Sequence, residues 1–233
     1  MSAFMAWNLD ILRAIAALRT PRLDSIMQGI TELGGETVFM VLLLVVFWCV
    51  DKNKGCYLML LCFAGTAVNQ VLKIAFCIPR PWLLDPSFEI VESARAGAAG
   101  FSFPSGHTQN AVAAYGGLAR VTEKRWLRIV CLALTLLIPF SRMYLGVHTP
   151  LDVGVSFLLA WGLVFAFAPL LEEIERRGGV LERAWLAMLV PAAAFLLCAL
   201  RIRALAHGDL TNFDHAVKMA WTMLGLVLGA LVS

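Results

Sequence analysis

The spacing of its charges constrains this chain most. Seven stretches, 36–50, 56–72, 108–119, 129–141, 153–171, 184–200 and 219–233, carry no charge beyond an edge residue. A mean hydropathy of +0.79 with only 15% charged residues belongs to a chain whose solvent is lipid. A crossing helix needs about 20 apolar residues, fewer with tilt and snorkelling flanks. Roughly six or seven such helices would consume nearly the whole chain. The expected fold class is therefore all-α, an integral membrane helical bundle forming one domain over residues 1–233.

Residues 1–34 have a different pattern. Ile11, Leu12, Ile15 and Leu18 form one stripe, with Asn8, Asp10 and Arg13 off it. After Thr20-Pro21, a cap followed by a first-turn proline, Leu23, Ile26, Met27, Ile30 and Leu33 form a second. The pattern predicts two short amphipathic helices at the membrane interface, with a distorted first span as the alternative. Arg13 and Arg19 interrupt the apolar residues, so the segment does not read as a secretory signal. A net charge of +3 argues against a nucleic-acid partner. The cysteines (Cys49, Cys56, Cys62, Cys77, Cys131, Cys198) lie in or beside apolar runs without CxxC spacing, and read as small core residues.

The turns divide into two kinds. Residues 51–55, 120–128 and 172–179 are short and rich in Lys and Arg, which places them on the cytoplasmic side. The segments 79–103, 141–150 and 201–214 then share the opposite side. An odd number of spans counted from Glu36 puts the N-terminus outside and the C-terminus inside.

Three pieces of the non-basic side carry chemistry. In the first, Lys73 nears the end of an apolar run and Arg80 stands between Pro79 and Pro81, which stop the helix and stiffen the backbone. In the second, Pro104-Ser105-Gly106-His107 opens a new helix. In the third, Ser141-Arg142 is followed by His148 and Asp152. Singly, each has an ordinary explanation. A terminal Lys or Arg snorkels, Ser105 caps a helix, and Thr149-Pro150-Leu151-Asp152 reads as a near capping box.

Together they are costly at membrane depth unless an anion occupies them. Lys73, Arg80 and Arg142 supply cations, and two helix N-termini at Ser105 and Thr149 add amide donors and positive dipole ends. Gly106 lets the backbone approach an anion. Phosphate fits, because guanidinium groups grip its oxygens in pairs. Phosphate transfer needs a nucleophile and an acid for the leaving oxygen. His148 lies four residues before Asp152, whose carboxylate would orient its imidazole, so His148 is the expected nucleophile and His107 the acid. No metal or cofactor is required. An anion carrier would use the same cations without needing the His148/Asp152 pair or a second histidine.

These residues match a known pattern. Lys73 through Arg80-Pro81 is K-x6-R-P, residues 104–107 are PSGH, and Ser141-Arg142 through His148 to Asp152 is S-R-x5-H-x3-D. The chain resembles the phosphatidic acid phosphatase type 2 superfamily, the lipid phosphate phosphatases, over about residues 56–170. The resemblance implies a membrane helical bundle and metal-independent hydrolysis of a lipid phosphate or diphosphate through a phosphohistidine. It assigns His148 as nucleophile, Asp152 as its partner and His107 as acid. It assigns Lys73, Arg80, Ser105, Gly106 and Arg142 to phosphate binding. With the topology, it places the active site on the extracytoplasmic face of the plasma membrane. Family analogy favours undecaprenyl diphosphate as substrate, with phosphatidylglycerol phosphate or phosphatidic acid next.

The remaining features are subordinate. Trp82, Leu83 and Leu84 are expected beside the lipid tail, and the Ala/Gly run 96–100 as a mobile flap. Asp85, Glu89, Glu92 and Arg95 read as solvated. Asn69 and Gln70 either support Lys73 or bond between helices. His207, Asp209, Asp214 and His215 read as a polar turn rather than a metal site. Gly225 and Gly229 read as a helix-packing pair.

Overall fold

A computed structural model describes residues 3–177 together with Leu200, Val217, Trp221 and Gly225. The expected helices over 184–200 and 219–233, the turn holding His207 to His215, and the Gly225–Gly229 pairing lie outside the described residues. Every described element is helical, and no strand occurs among them.

Two short helices come first, α1 (Ala3–Ala16) and α2 (Pro21–Glu32). Thr20 caps α2, its hydroxyl accepting from the Leu23 amide, and Pro21 fills the first helical position, where no donor is needed. Next is α3 (Glu36–Val45), extended by one wide turn over Val46–Val50. Asp51 then caps α4 (Lys52–Phe76), accepting from the Lys54 amide at 2.9 Å. Cys77 ends α4 in the left-handed region at φ 48, and Pro81 starts the one-turn α5 (Pro81–Leu84). After a long loop, α6 (Gly106–Ala111) and α7 (Gly117–Val121) join through a wide turn, Val112–Gly116. The remaining helices are α8 (Arg125–Tyr144), α9 (Pro150–Ala166) and α10 (Ala168–Arg177).

Three helical stretches are long and apolar enough to cross a membrane: Lys52–Leu84, Arg125–Tyr144 and Pro150–Glu173. A fourth candidate is the pair Pro21–Glu32 and Glu36–Val50, bent by 46° at the break between them. Trp126, Ile129, Leu136, Leu158 and Phe165 stand exposed on α8 and α9, as residues facing lipid tails do. Inside, Phe39, Leu43, Tyr57, Leu58, Leu61, Phe63, Ala113, Ala114 and Val164 form one core. In lipid such a core gains from close packing rather than from leaving water.

The N-terminal segment departs from the expectation of two surface helices. α1 packs on α8 and α9, and α2 packs on α8. Asn8, Leu9 and Leu12 are fully buried, as is Thr31 of α2. The bend after α2 explains the fit. A side chain on Gly34 would lie 2.6 Å from Ile138 and 3.2 Å from the His107 carbonyl, so only glycine lets the two segments close together. The stripes therefore face protein in part, at Leu12 and Met27, while Leu18, Ile26 and Leu33 stay exposed.

Candidate active site

One end of the bundle gathers the C-termini of α4 and α8 with the N-termini of α6 and α9. All eight residues singled out from the sequence lie there. Lys73 sits in the last turn of α4, and its ammonium donates to the Phe101 carbonyl at 2.8 Å. Arg80 caps α5 and is 4% exposed. Its Nε donates to the Gly100 carbonyl at 2.9 Å and one Nη to that of Ala99 at 2.9 Å. The other Nη donates to the Val147 carbonyl at 3.0 Å and lies 2.9 Å from His148 Nε2. Arg142, in the last turn of α8, is 1% exposed. It donates to Thr31 Oγ1 at 3.0 Å and reaches the Gly97 carbonyl at 3.4 Å, while its Nε has no partner.

The helix starts supply the other wall. Ser105 caps α6, and its backbone amide donates to the Asp152 carbonyl at 3.1 Å, tying the two helix starts together. Gly106 follows at the first helical position. A side chain there would meet Asn69 Oδ1 at 3.9 Å, an ordinary van der Waals contact, so a methyl fits beside this backbone without a clash. Half-buried His107 comes next, within charge range of Lys73, Arg80, Arg142 and His148.

The turn before α9 forms a complete capping box. Thr149 Oγ1 accepts from the Asp152 amide at 3.2 Å, and Asp152 Oδ2 accepts from the Thr149 amide at 2.8 Å. The same Oδ2 accepts from Ser102 Oγ at 2.6 Å and lies 3.6 Å from His148 Nδ1. That last distance is contact rather than a hydrogen bond. Asp152 thus locks the 102–105 loop to the 148–152 turn while its charge sits beside the imidazole. Burial, then the charges of Arg80, Arg142, Lys73 and His107, hold the His148 imidazole well below its ordinary pKa. A neutral imidazole with its proton on Nδ1 faces Asp152 and leaves the Nε2 lone pair toward Arg80.

Two sequence expectations change here. The 96–100 run is fastened rather than loose. Carbonyls from Gly97 to Phe101 bind all three cations, and Ala94 and Ala98 pack with Tyr144, Leu145 and Val147. Asn69 follows the second of its two readings, its amide on α4 lying 3.5 Å from the Pro104 carbonyl ahead of α6. Asp85, read as solvated, pairs with Arg13 of α1. Glu92 and Arg95 do form an exposed pair, with Arg95 over the Trp82 ring.

Three further polar residues complete the site without a motif to announce them. Ser102 binds Asp152, Thr31 binds Arg142, and Asn8 Oδ1 accepts from the Leu151 amide at 3.0 Å. For Thr31 a faint signal existed, since it falls four residues after Met27 on the buried stripe. Ser102 and Asn8 carried none.

Three buried cations and two helix N-termini thus surround a buried imidazole, with one carboxylate beside it. The sequence profile of the PAP2 superfamily matches residues 54–176. Phosphatidylglycerophosphatase B of Bacillus subtilis is 32% identical over 184 residues, covering 71% of this chain and 84% of its own. Undecaprenyl-diphosphatase BcrC of the same organism is 30% identical over 166 residues, covering 69% and 82%. The crystal structure of a transmembrane PAP2-type phosphatidylglycerolphosphate phosphatase from Bacillus subtilis superposes with a TM-score of 0.63 at 28% identity, over 76% of this chain and 90% of that one. The chain belongs to the PAP2 superfamily, and it is a phosphatase, an enzyme that hydrolyses phosphate esters. With its apolar helices and membrane relatives, it is a multi-pass membrane protein.

Proposed function

We propose that this phosphatase hydrolyses a lipid phosphate or diphosphate through a covalent phosphohistidine on His148. The observation that carries the reading is the His148 environment: Nε2 faces Arg80 at 2.9 Å, Nδ1 faces the Asp152 carboxylate, and three cations surround both. Lys73, Arg80 and Arg142 exchange their carbonyl partners for phosphate oxygens, and the amides at Ser105 and Gly106 cover another face. The Nε2 lone pair attacks phosphorus and forms the N–P bond as the P–O bond to the lipid breaks. His107 delivers its proton to the departing oxygen. Water then attacks the phosphohistidine, His107 takes its proton, and the N–P bond breaks to release inorganic phosphate and neutral His148. Asp152 stabilises the charge that grows on the imidazole in each step.

The basic turns lie at the far end of the helices from this site, which supports an active site at the extracytoplasmic leaflet of the plasma membrane. Undecaprenyl diphosphate is the substrate we favour, supported by the 30% identity to an undecaprenyl-diphosphatase. Phosphatidylglycerol phosphate is the second reading, supported by the 32% identity to a phosphatidylglycerophosphatase. The test is phosphate release by the purified protein in EDTA from a panel of lipid phosphates and diphosphates, scored by kcat/KM. A preference of tenfold or more for the isoprenoid diphosphate upholds the first reading, and the reverse order upholds the second. Full activity in His148→Ala would remove the mechanism altogether.

A further inference from the structure

Arg142 is held by a residue outside the stretch 54–176 that defines the family. Its Nη1 donates to Thr31 Oγ1 at 3.0 Å, with both residues 1% exposed. Nε has no partner, and Nη2 reaches only the Gly97 carbonyl at 3.4 Å. In the planar guanidinium, Nε–H and one Nη2 hydrogen point the same way and form the fork that grips two oxygens. Anchoring Nη1 therefore sets the plane and aim of the Nε/Nη2 fork. The anchor itself is firmly seated. Gly34, three residues on, packs against Ile138 and the His107 carbonyl. Asp24 of α2 accepts from the Tyr144 hydroxyl at 2.7 Å, and Arg19 Nε donates to the Tyr144 carbonyl at 2.9 Å. The N-terminal arm thus grips both the end of α8 and the residue that α8 presents.

We infer that Thr31 is a positioning residue for the reaction, its hydroxyl aiming the Nε/Nη2 fork of Arg142 at the substrate phosphate. This rests on the phosphate-binding role proposed for Arg142. A valine keeps the volume of threonine and removes the acceptor, leaving a buried guanidinium N–H without a partner.

The experiment uses the full-length purified protein and one short-chain lipid phosphate that it turns over. It reads kcat, KM and inhibition by vanadate, which mimics the transferring phosphoryl group. Thr31→Val should lower kcat/KM by about tenfold and weaken vanadate by a similar factor, as expected for one charge-assisted hydrogen bond. Thr31→Ser, which restores the hydroxyl, should stay within about threefold of the parent. In an Arg142→Lys background, which has no fork, Thr31→Val should add less than about a twofold loss. Wild-type kcat/KM and vanadate sensitivity in Thr31→Val would overturn the inference, as would a full tenfold loss added to Arg142→Lys. If Thr31→Val does not fold, Thr31→Ala is held to the same values. Full activity in Arg142→Ala would instead sink the role of Arg142, and the inference with it. An inactive Arg142→Ala beside a fully active Thr31→Val sinks the inference alone.

Discussion

At one end of the bundle Lys73, Arg80 and Arg142 are 9%, 4% and 1% exposed. At the other, Arg120, Lys124, Arg125 and Arg128 all lie exposed. The basic end has a cleft of about 520 Å³ lined in part by Lys54, Arg120, Arg128 and Trp161, and Glu123 and Glu172 also line it. Arg128 there donates to the Ala119 and Thr122 carbonyls at 3.1 and 2.8 Å, and an exposed charge of this kind is worth little by itself. At the site end Asp152 is the single buried carboxylate among the described residues, and Lys73 and Arg80 bind main-chain carbonyls, dipoles that leave the net charge in place. Buried positive charge with a single carboxylate beside it sets that end apart from the basic one.

Breaking this contrast should have graded effects. His148→Ala should reduce phosphate release by roughly a thousandfold or more, because it removes the proposed nucleophile and leaves the cation cluster in place. Rapid-quench detection of a labelled phosphoenzyme would check it, with no label expected on the variant. Asp152→Asn keeps the shape of the capping residue and removes its charge. It should lower kcat by roughly a hundredfold with little change in KM. Gly106→Ala sharpens the comparison most, because its added methyl clashes with no neighbouring element, Asn69 Oδ1 lying at 3.9 Å. Its thermal midpoint should match the parent, while KM and the vanadate inhibition constant should rise by about tenfold, since the methyl intrudes on the ligand alone. Arg125→Gln, at the basic end, should leave kcat/KM within about twofold. A loss comparable with that of Gly106→Ala would mean that the two ends are not functionally distinct.

How much of this was legible depended on the range of each interaction. The capping box at Thr149 and Asp152 and the Ser105 cap are each written within four residues, and both form, whereas α4 ends at Cys77 ahead of the prolines and Pro81 starts α5. The convergence of Lys73, Arg80, Arg142 and the two histidines followed from their places at helix ends on one side of the membrane. The docking of α1 and α2 was not legible. An amphipathic stripe states that one face is apolar, and it is equally satisfied by lipid or by another helix.

By itself, the sequence determined that the chain is a helical membrane protein, which residues stand at helix starts and stops, and which of them share a charge sign. Those properties depend on hydropathy and local backbone preference, and both act over a few residues. The tertiary structure decided what each cation touches. The carbonyls of Gly97 to Phe101 have no side-chain identity to read. Likewise, nothing near Thr31 announces an arginine 111 residues away. Only packing brings such groups within 3 Å, because a hydrogen bond is as short-ranged in space as it is indifferent to distance along the chain.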